Sequence, residues 1–192
     1  MGLIRQLDME LFGGCNYACQ MCPQGFEDGR EKEFKKSLKW ENFIKIVDDA
    51  ISQGVESISV HGGGEATLHK KFIECIKYIK SKGVKCVSFS NGYVIGYNSE
   101  TYHEWMKMDA FDRIRKNVKY LVELCKGTNT EIHSNHLITD NDNREYEVEQ
   151  YKKFVDYTGT KAEVWMMHNW SGDYDVPYKR RKEDRRGWGG PF

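Results

Sequence analysis

Residues 13–23 read GGCNYACQMCP and place three cysteines, Cys15, Cys19 and Cys22, in the spacing CxxxCxxC. A closed structural zinc site takes four protein ligands, and an iron–sulfur cluster held by protein alone takes four thiolates. A compact set of three therefore leaves one coordination position free for a ligand that reacts. On spacing alone the alternative is half a zinc knuckle, Cys19 to Cys22. The other cysteines weaken it, because they are scattered singly at Cys75, Cys86 and Cys125.

The length and composition limit the classes of protein to which this chain can belong. The 192 residues fit one domain, and 29 basic residues balance 29 acidic ones, so no net field recruits nucleic acid or anionic lipid. The sequence shows neither an apolar run of membrane-spanning length nor a signal-peptide pattern. We therefore expect a cytoplasmic protein without membrane attachment, in a reducing compartment that suits six cysteines without disulfide-like spacing.

Hydrophobic patterning predicts alternating strands and helices. Short β-rich runs predict strands at residues 7–11, 57–60, 85–89, 131–138 and 162–167. Helical periodicity predicts one helix from an N-cap at Ser37 to Gly54 and three more that end at Gly83, Gly127 and Gly159. This order is typical of βαβ units in an α/β fold with a parallel sheet, whose active edge is the carboxyl end of the strands.

Two further segments follow predicted strands at that edge. The second strand is followed by His61-Gly62-Gly63-Gly64-Glu65-Ala66, where the absence of side chains lets the backbone lie directly against a small polar molecule. The third strand ends in Phe89-Ser90-Asn91-Gly92. Each segment alone is more often a plain turn, and their distance from the cysteines gives them weight.

Together these segments resemble the radical S-adenosylmethionine (SAM) enzymes. The glycine turn is similar to that family's GGEP, with Ala66 in place of proline, and Ser90-Asn91-Gly92 is similar to its TNG. The resemblance implies that the three cysteine thiolates hold three irons of a 4Fe-4S cluster whose fourth iron chelates SAM. It implies that Gly62, Gly63, Gly64 and Glu65 line the SAM methionine moiety, that Asn91 is a further contact, and that Met21 lies against the adenine.

The resemblance also implies an activity. An electron from a reductant such as a flavodoxin or ferredoxin would cleave SAM, and the resulting 5'-deoxyadenosyl radical would abstract hydrogen from a substrate. Residues 168–172, His168-Asn169-Trp170-Ser171-Gly172, resemble the HNWxG of radical SAM proteins with a SPASM extension, which modify peptides, proteins and some sugars. Trp188 stands where that extension starts with a cysteine, so no auxiliary cluster is expected.

One strand of the expected order is missing. Residues 93–109 are too few for the helix and fourth strand that the family has there, which predicts a shortened, partial (β/α) TIM-like barrel. We expect the strand at 131–138 to pair directly beside that at 85–89, since an open edge would allow self-association. The alternative function is a non-catalytic cluster-binding relative. The expected division is a core at 1–177 and a basic, solvated tail at 178–192.

Overall fold

The computed structural model describes residues 4–19, 22, 36–92, 97–140 and 142–166. The described residues form β1 (Gln6–Met9), α1 (Trp40–Ser52), β2 (Ser57–Val60), α2 (Phe72–Ser81), β3 (Lys85–Val87), α3 (Ser99–Met106), α4 (Phe111–Cys125), β4 (His133–Ile138), α5 (Arg144–Thr158) and β5 (Lys161–Met166). The chain divides into two compact units, residues 1–16 with 24–91 and residues 17–23 with 92–192.

The first unit is a three-stranded sheet in the order β1-β2-β3, with all strands parallel. Met9 of β1 pairs with Val60 of β2, so both strands end at the same edge. The core includes Ile58 of β2 and, on α1, the buried side chains of Phe43 and Val47, which lie four residues apart on one helical face. The prediction of parallel strands alternating with helices is confirmed here.

Two predicted strands end early because tertiary hydrogen bonds redirect the chain. Beyond Met9, the Leu11 carbonyl accepts from Leu38 N–H at 2.9 Å, and Phe12 forms an antiparallel bridge with Ser37. Ser37 is thus part of this pairing and not the predicted N-cap, and α1 begins at Trp40 after Lys39. At β3, Ser88 Oγ donates to the Val60 carbonyl at 3.2 Å, and the strand ends at Val87.

The second unit contains a two-stranded parallel sheet in which His133 to Ile138 of β4 pair with Lys161 to Met166 of β5. Its core includes stacked or tilted aromatic rings of α4 and α5. Phe111 lies 6.1 Å from Phe154, and Phe154 lies 6.2 Å from Tyr151, measured between ring centroids. Helix α5 spans Arg144–Thr158 and is therefore longer than the apolar pattern that predicts a fourth helix there.

Helix α3 lies within residues 93–109, a segment for which the hydrophobic pattern predicts no helix. Its start is a capping box: Asn98 Oδ1 accepts from Thr101 N–H at 2.9 Å, and Thr101 Oγ1 accepts from Asn98 N–H at 3.3 Å. Tyr102, Trp105 and Met106 are buried along one side. A helix thus stands where the resemblance gave only a sequence segment.

The predicted pairing of the strand at 131–138 with that at 85–89 is wrong. Within the described ranges, β3 pairs with β2, and β4 pairs with β5. The connection from β3 to β4 contains α3 and α4, and its described residues form no strand. The described strands form two sheets and close no barrel.

All four predicted helix stops are confirmed. Gly54, Gly83, Gly127 and Gly159 have φ between 74° and 89°, a left-handed conformation that glycine adopts without strain. Of the helices in the described part of the chain, none is long and apolar enough to span a bilayer.

Candidate functional site

The glycine turn lies against the loop that follows β1 and carries Cys15. A Cβ atom added to Gly64 would lie 2.6 Å from the Gly14 carbonyl oxygen and closer still to that of Phe12. The Gly14 carbonyl also accepts from Glu65 N–H at 2.9 Å. Only a residue without a side chain permits this approach, so the glycine at position 64 follows from backbone contact.

Glu65 ties this turn to the end of β3. Its side chain is 4% exposed. Oε1 accepts from Thr67 N–H at 3.2 Å and from Thr67 Oγ1 at 2.5 Å, while Oε2 accepts from the Asn91 backbone N–H at 2.5 Å. Both carboxylate oxygens are thus engaged by the protein, and Glu65 positions the residues on either side of the glycine turn.

Asn91 in turn reaches the first cysteine. Its side-chain Nδ2 donates to Asn16 Oδ1 at 2.6 Å and to Cys15 Sγ at 3.8 Å. The structure therefore brings three sequence-predicted elements of the first unit together at the carboxyl end of its strands: Cys15, the glycine turn and Asn91. This is the edge at which ligands bind in parallel α/β sheets.

The second unit holds the other part of the cysteine segment through α3. Cys19 Sγ donates to Met106 Sδ at 3.7 Å, and Tyr102 Oη donates to the buried Tyr17 Oη at 3.3 Å. Desolvation of Tyr102, together with that hydrogen bond, raises its pKa far above the ordinary value. Sequence reasoning missed this support, although the spacing of Asn98 and Thr101 gives a capping signal for α3.

The chemistry of the donor set fits an iron–sulfur cluster. Cys15, Cys19 and Cys22 are half-buried and form no disulfide, and thiolates are the ligands such clusters take. Cys22 N–H donates to the Cys19 carbonyl at 3.1 Å, a tight turn between two of them. In the ranges that the structure describes, no three cysteine, histidine or acidic side chains stand close enough together to hold a metal ion.

The cysteines that were not predicted as ligands have different surroundings. Cys75 is fully buried in the core of the first unit, and desolvation raises its thiol pKa to about 11. Desolvation also raises the pKa of Cys86, on β3. A thiol that resists ionisation is a poor ligand and nucleophile, so these two side chains belong to the packing.

A buried acid–base pair in the second unit escaped sequence analysis. His136 Nε2 lies 3.0 Å from Glu147 Oε2, and the two side chains are 0% and 3% exposed. Thr139 N–H donates to the same oxygen at 3.0 Å, and Asp140 N–H donates to Oε1 at 2.7 Å. Desolvation raises the Glu147 pKa, but hydrogen bonds from His136 and Thr139 outweigh it, so the pKa lies below its ordinary value. The buried contact between His136 and Glu147 thus links β4 to α5.

Several predicted residues lie outside the described residues: Met21, His168 with Asn169, Trp188 and the basic tail at 178–192. Their assignments stay predictions. The division into a core at 1–177 and a tail is untested for the same reason.

Comparison with known proteins finds relatives that match only part of this chain. A probable GTP 3',8-cyclase from Methanococcus maripaludis is 29% identical over 119 residues, which are 62% of this chain and 37% of that protein. A tungsten-containing aldehyde ferredoxin oxidoreductase cofactor-modifying protein from Pyrococcus furiosus is 29% identical over 93 residues, 48% of this chain and 25% of that protein. The chain thus matches well under half of each relative's length, and these names do not single out the SPASM-type subgroup.

Solved structures support the fold. The structure of TYW1 with a lysine-pyruvate adduct bound has a TM-score of 0.63 at 14% identity, covering 85% of this chain and 65% of that one. Archaeal TYW1 has a TM-score of 0.52 at 13% identity, covering 75% of this chain and 61% of that one. The family model of the radical SAM superfamily matches residues 9–157, a range that includes the three cysteines, the glycine turn and Asn91. The chain therefore belongs to the radical SAM superfamily.

Proposed function

We propose that this chain is a radical SAM enzyme that holds one 4Fe-4S cluster through Cys15, Cys19 and Cys22 and binds SAM at the glycine turn. When bound, the cluster supplies the electron that cleaves SAM to methionine and a 5'-deoxyadenosyl radical, which abstracts hydrogen from the substrate. The protein's own part is to bind, orient and shield the reacting groups. A flavodoxin or ferredoxin is the proposed electron donor.

The observation that carries this proposal is the meeting of Cys15 with Asn91 and the glycine turn. Asn91 Nδ2 lies 3.8 Å from Cys15 Sγ, and Glu65 holds the Asn91 backbone at 2.5 Å. A purely structural turn needs no such link to a cysteine side chain. Here a single buried carboxylate fixes the distance between a predicted cluster ligand and a predicted SAM-binding segment.

The hydrogen bonding of the turn favours a ligand group that donates hydrogen bonds over an anionic one. Phosphate-binding glycine loops use their backbone N–H groups as donors. In this turn Gly63 N–H is taken by Glu10 Oε2 at 2.6 Å and Glu65 N–H by the Gly14 carbonyl at 2.9 Å. With two donors already used, the turn is better suited to accept hydrogen bonds from the amino group of the SAM methionine moiety than to bind a phosphate.

The proposed fold is a shortened, open (β/α) barrel that forms a core domain over residues 1–177. Parallel strands in both units and the likeness to TYW1 support it. The two relatives named above carry different functional names, so the likeness supports their shared radical chemistry and does not select one substrate. The SPASM-type peptide or sugar substrates suggested by residues 168–172 remain a hypothesis from sequence.

One observation favours a second function, a cluster-binding protein without catalysis. The described residues between β3 and β4 contain two helices and no strand, whereas the resemblance leads us to expect a fourth strand with polar SAM contacts there. A chain without those contacts would assemble the cluster and still fail to cleave SAM. The two functions therefore differ in one product, 5'-deoxyadenosine.

The test is anaerobic reconstitution with iron and sulfide, followed by reduction with dithionite in the presence of SAM. Formation of 5'-deoxyadenosine by the wild-type protein, and its loss in Cys19→Ala, is the expected result. Cys125→Ala is the matched control, since Cys125 is also a free thiol of intermediate burial. A fully loaded cluster without 5'-deoxyadenosine would support the non-catalytic alternative.

A further inference from the structure

We propose that Met106, the last residue of α3, is a positioning residue that covers the sulfur atom of Cys19 and keeps water away from the cluster at that ligand. This inference rests on the proposed function, because it takes Cys19 as a cluster ligand. Cys19 and Met106 both belong to the second unit. Neither the resemblance nor the comparisons assign Met106 a role.

Met106 contacts the sulfur atom that is proposed to bind iron. Cys19 Sγ donates to Met106 Sδ at 3.7 Å, and the Met106 side chain is 2% exposed while Cys19 is half-buried. A cysteine that binds iron does so as a thiolate, which carries no proton to donate. In the loaded protein Met106 therefore meets Cys19 through van der Waals contact alone, and it acts on that sulfur atom as an apolar cover.

The rest of α3 fixes the position of Met106. Tyr102 lies four residues earlier, on the same helical face, and is fully buried. Its Oη donates to Tyr17 Oη at 3.3 Å, and its ring centroid lies 5.8 Å from that of Phe111 in the core of the second unit. One face of α3 thus holds the cysteine segment at two points, Tyr17 and Cys19, and is itself anchored by a buried aromatic ring.

An apolar cover over a ligand sulfur has two measurable consequences for the cluster. The reduced cluster carries one more negative charge than the oxidised cluster, and water stabilises that charge, so exclusion of water lowers the reduction potential. Exclusion of water also slows the loss of iron, because a chelator in solution must reach the metal. Both effects depend on the volume and apolarity of the side chain at position 106 and not on its sulfur atom.

The test uses the full chain after anaerobic reconstitution and makes two measurements: the rate of iron release to ferrozine and the midpoint potential of the loaded cluster. Met106→Ala removes the cover, whereas Met106→Leu keeps an apolar side chain of similar volume. Met108→Ala is the matched control, because Met108 is a half-buried methionine just beyond the end of α3.

We expect Met106→Ala to release iron about tenfold faster than wild type and to have a less negative midpoint potential. Met106→Leu and Met108→Ala should match wild type in both measurements. Faster release with an unchanged potential overturns the inference, because Met106 would then only hold the loop. So does an unchanged release rate, or an equal change in Met106→Leu and Met106→Ala, because volume and apolarity would then not be what matters.

A second polar variant keeps the inference testable if Met106→Ala takes up no cluster. Met106→Gln keeps the length of the side chain and places a polar end, which attracts water, beside Cys19. Its potential should be less negative than that of Met106→Leu, and equal potentials of the two variants overturn the inference. If the wild-type protein takes up no cluster, or if Cys19→Ala takes up a wild-type amount, the proposed function itself has failed.

Discussion

The side chain of Asn91 donates to Cys15 Sγ at 3.8 Å while its backbone N–H donates to the buried Glu65 carboxylate. The residue that ends the third strand is thereby locked both to the glycine turn and to the first cysteine. Hydrogen bonds to ligand sulfurs are among the features that set the potential of an iron–sulfur cluster. This relationship gives Asn91 a measurable electronic effect.

We expect Asn91→Leu to lower the midpoint potential of the reconstituted cluster, because the N–H donor that stabilises the more negative reduced state is gone. Iron content should stay near wild type. An anaerobic redox titration followed by electron paramagnetic resonance measures this shift. Asn143→Leu is the control, since the Asn143 side chain donates to Asp140 at 2.6 Å and lies at the start of α5. An unchanged potential in Asn91→Leu would mean that the N–H···S contact has no electronic effect.

Replacement of Cys19 tests the ligand set. Cys19→Ala should lose most of its bound iron and sulfide, because the cluster would keep two of its three protein thiolates. Cys125→Ala should retain both, since Cys125 ends α4 far along the sequence from the motif. Iron and acid-labile sulfide assays after anaerobic reconstitution give the answer. Wild-type levels of iron and sulfide in Cys19→Ala would contradict the assignment of Cys19 as a cluster ligand.

Gly64 and Gly92 form a matched pair for the close-approach argument. A Cβ atom at position 64 would collide with the backbone of residues 12–14, whereas one at position 92 meets nothing within 4 Å. Gly64→Ala should therefore displace the turn, cost about 1–3 kcal/mol in the free energy of unfolding, and weaken SAM binding. Gly92→Ala should do neither. Urea unfolding and calorimetry separate the two effects, and equal behaviour of both variants would contradict the prediction.

Stability of the second unit should fall at acidic pH through Glu147. Its pKa in the folded protein lies below the ordinary value of 4.5, so its carboxylate stabilises the fold above that value. That stability is lost as the pH falls from 4.5 through the lowered pKa. Glu147→Gln should cost about 3 kcal/mol at neutral pH and flatten this acid dependence.

Urea unfolding between about pH 7 and pH 3 measures the dependence on Glu147. Glu131→Gln is the control, because Glu131 is an exposed carboxylate whose pKa is also lowered, first by a hydrogen bond from Lys161. An exposed pair contributes little, so this variant should match wild type. If both variants show the same pH profile, the buried pair is not the source of acid sensitivity.

Much of the fold follows from local patterns. The apolar stripe with Phe43 and Val47 and the stop at Gly54 are properties of a short segment, and they correctly predict α1 and its end. Its start could not be predicted, because Ser37 is drawn into pairing with Phe12 from a distant part of the sequence. Tertiary hydrogen bonds overrode a favourable capping residue.

The candidate site, too, can be predicted only in part from the sequence. The cysteine spacing and the glycine turn are visible in the sequence because close approach restricts which residues can stand there. Glu10, which accepts a hydrogen bond from Gly63 N–H of the turn, gives no such signal, since an acidic residue at the end of an edge strand looks like an ordinary solvated position. His136 and Glu147 lie eleven residues apart on a strand and a helix, and only packing shows that they meet.

The bridge between Phe12 and Ser37 also holds the two ends of the cysteine segment, residues 13–36, close together without a covalent bond. Gly13 N–H donates to the Lys36 carbonyl at 3.1 Å, so the two ends of the segment are fastened to each other independently of the cysteines. The folded protein has therefore already lost the conformational entropy of bringing those ends together before iron binds. A linear synthetic peptide of residues 13–36 would have to meet that entropy cost at metal uptake, and a head-to-tail cyclised version of the same peptide would not.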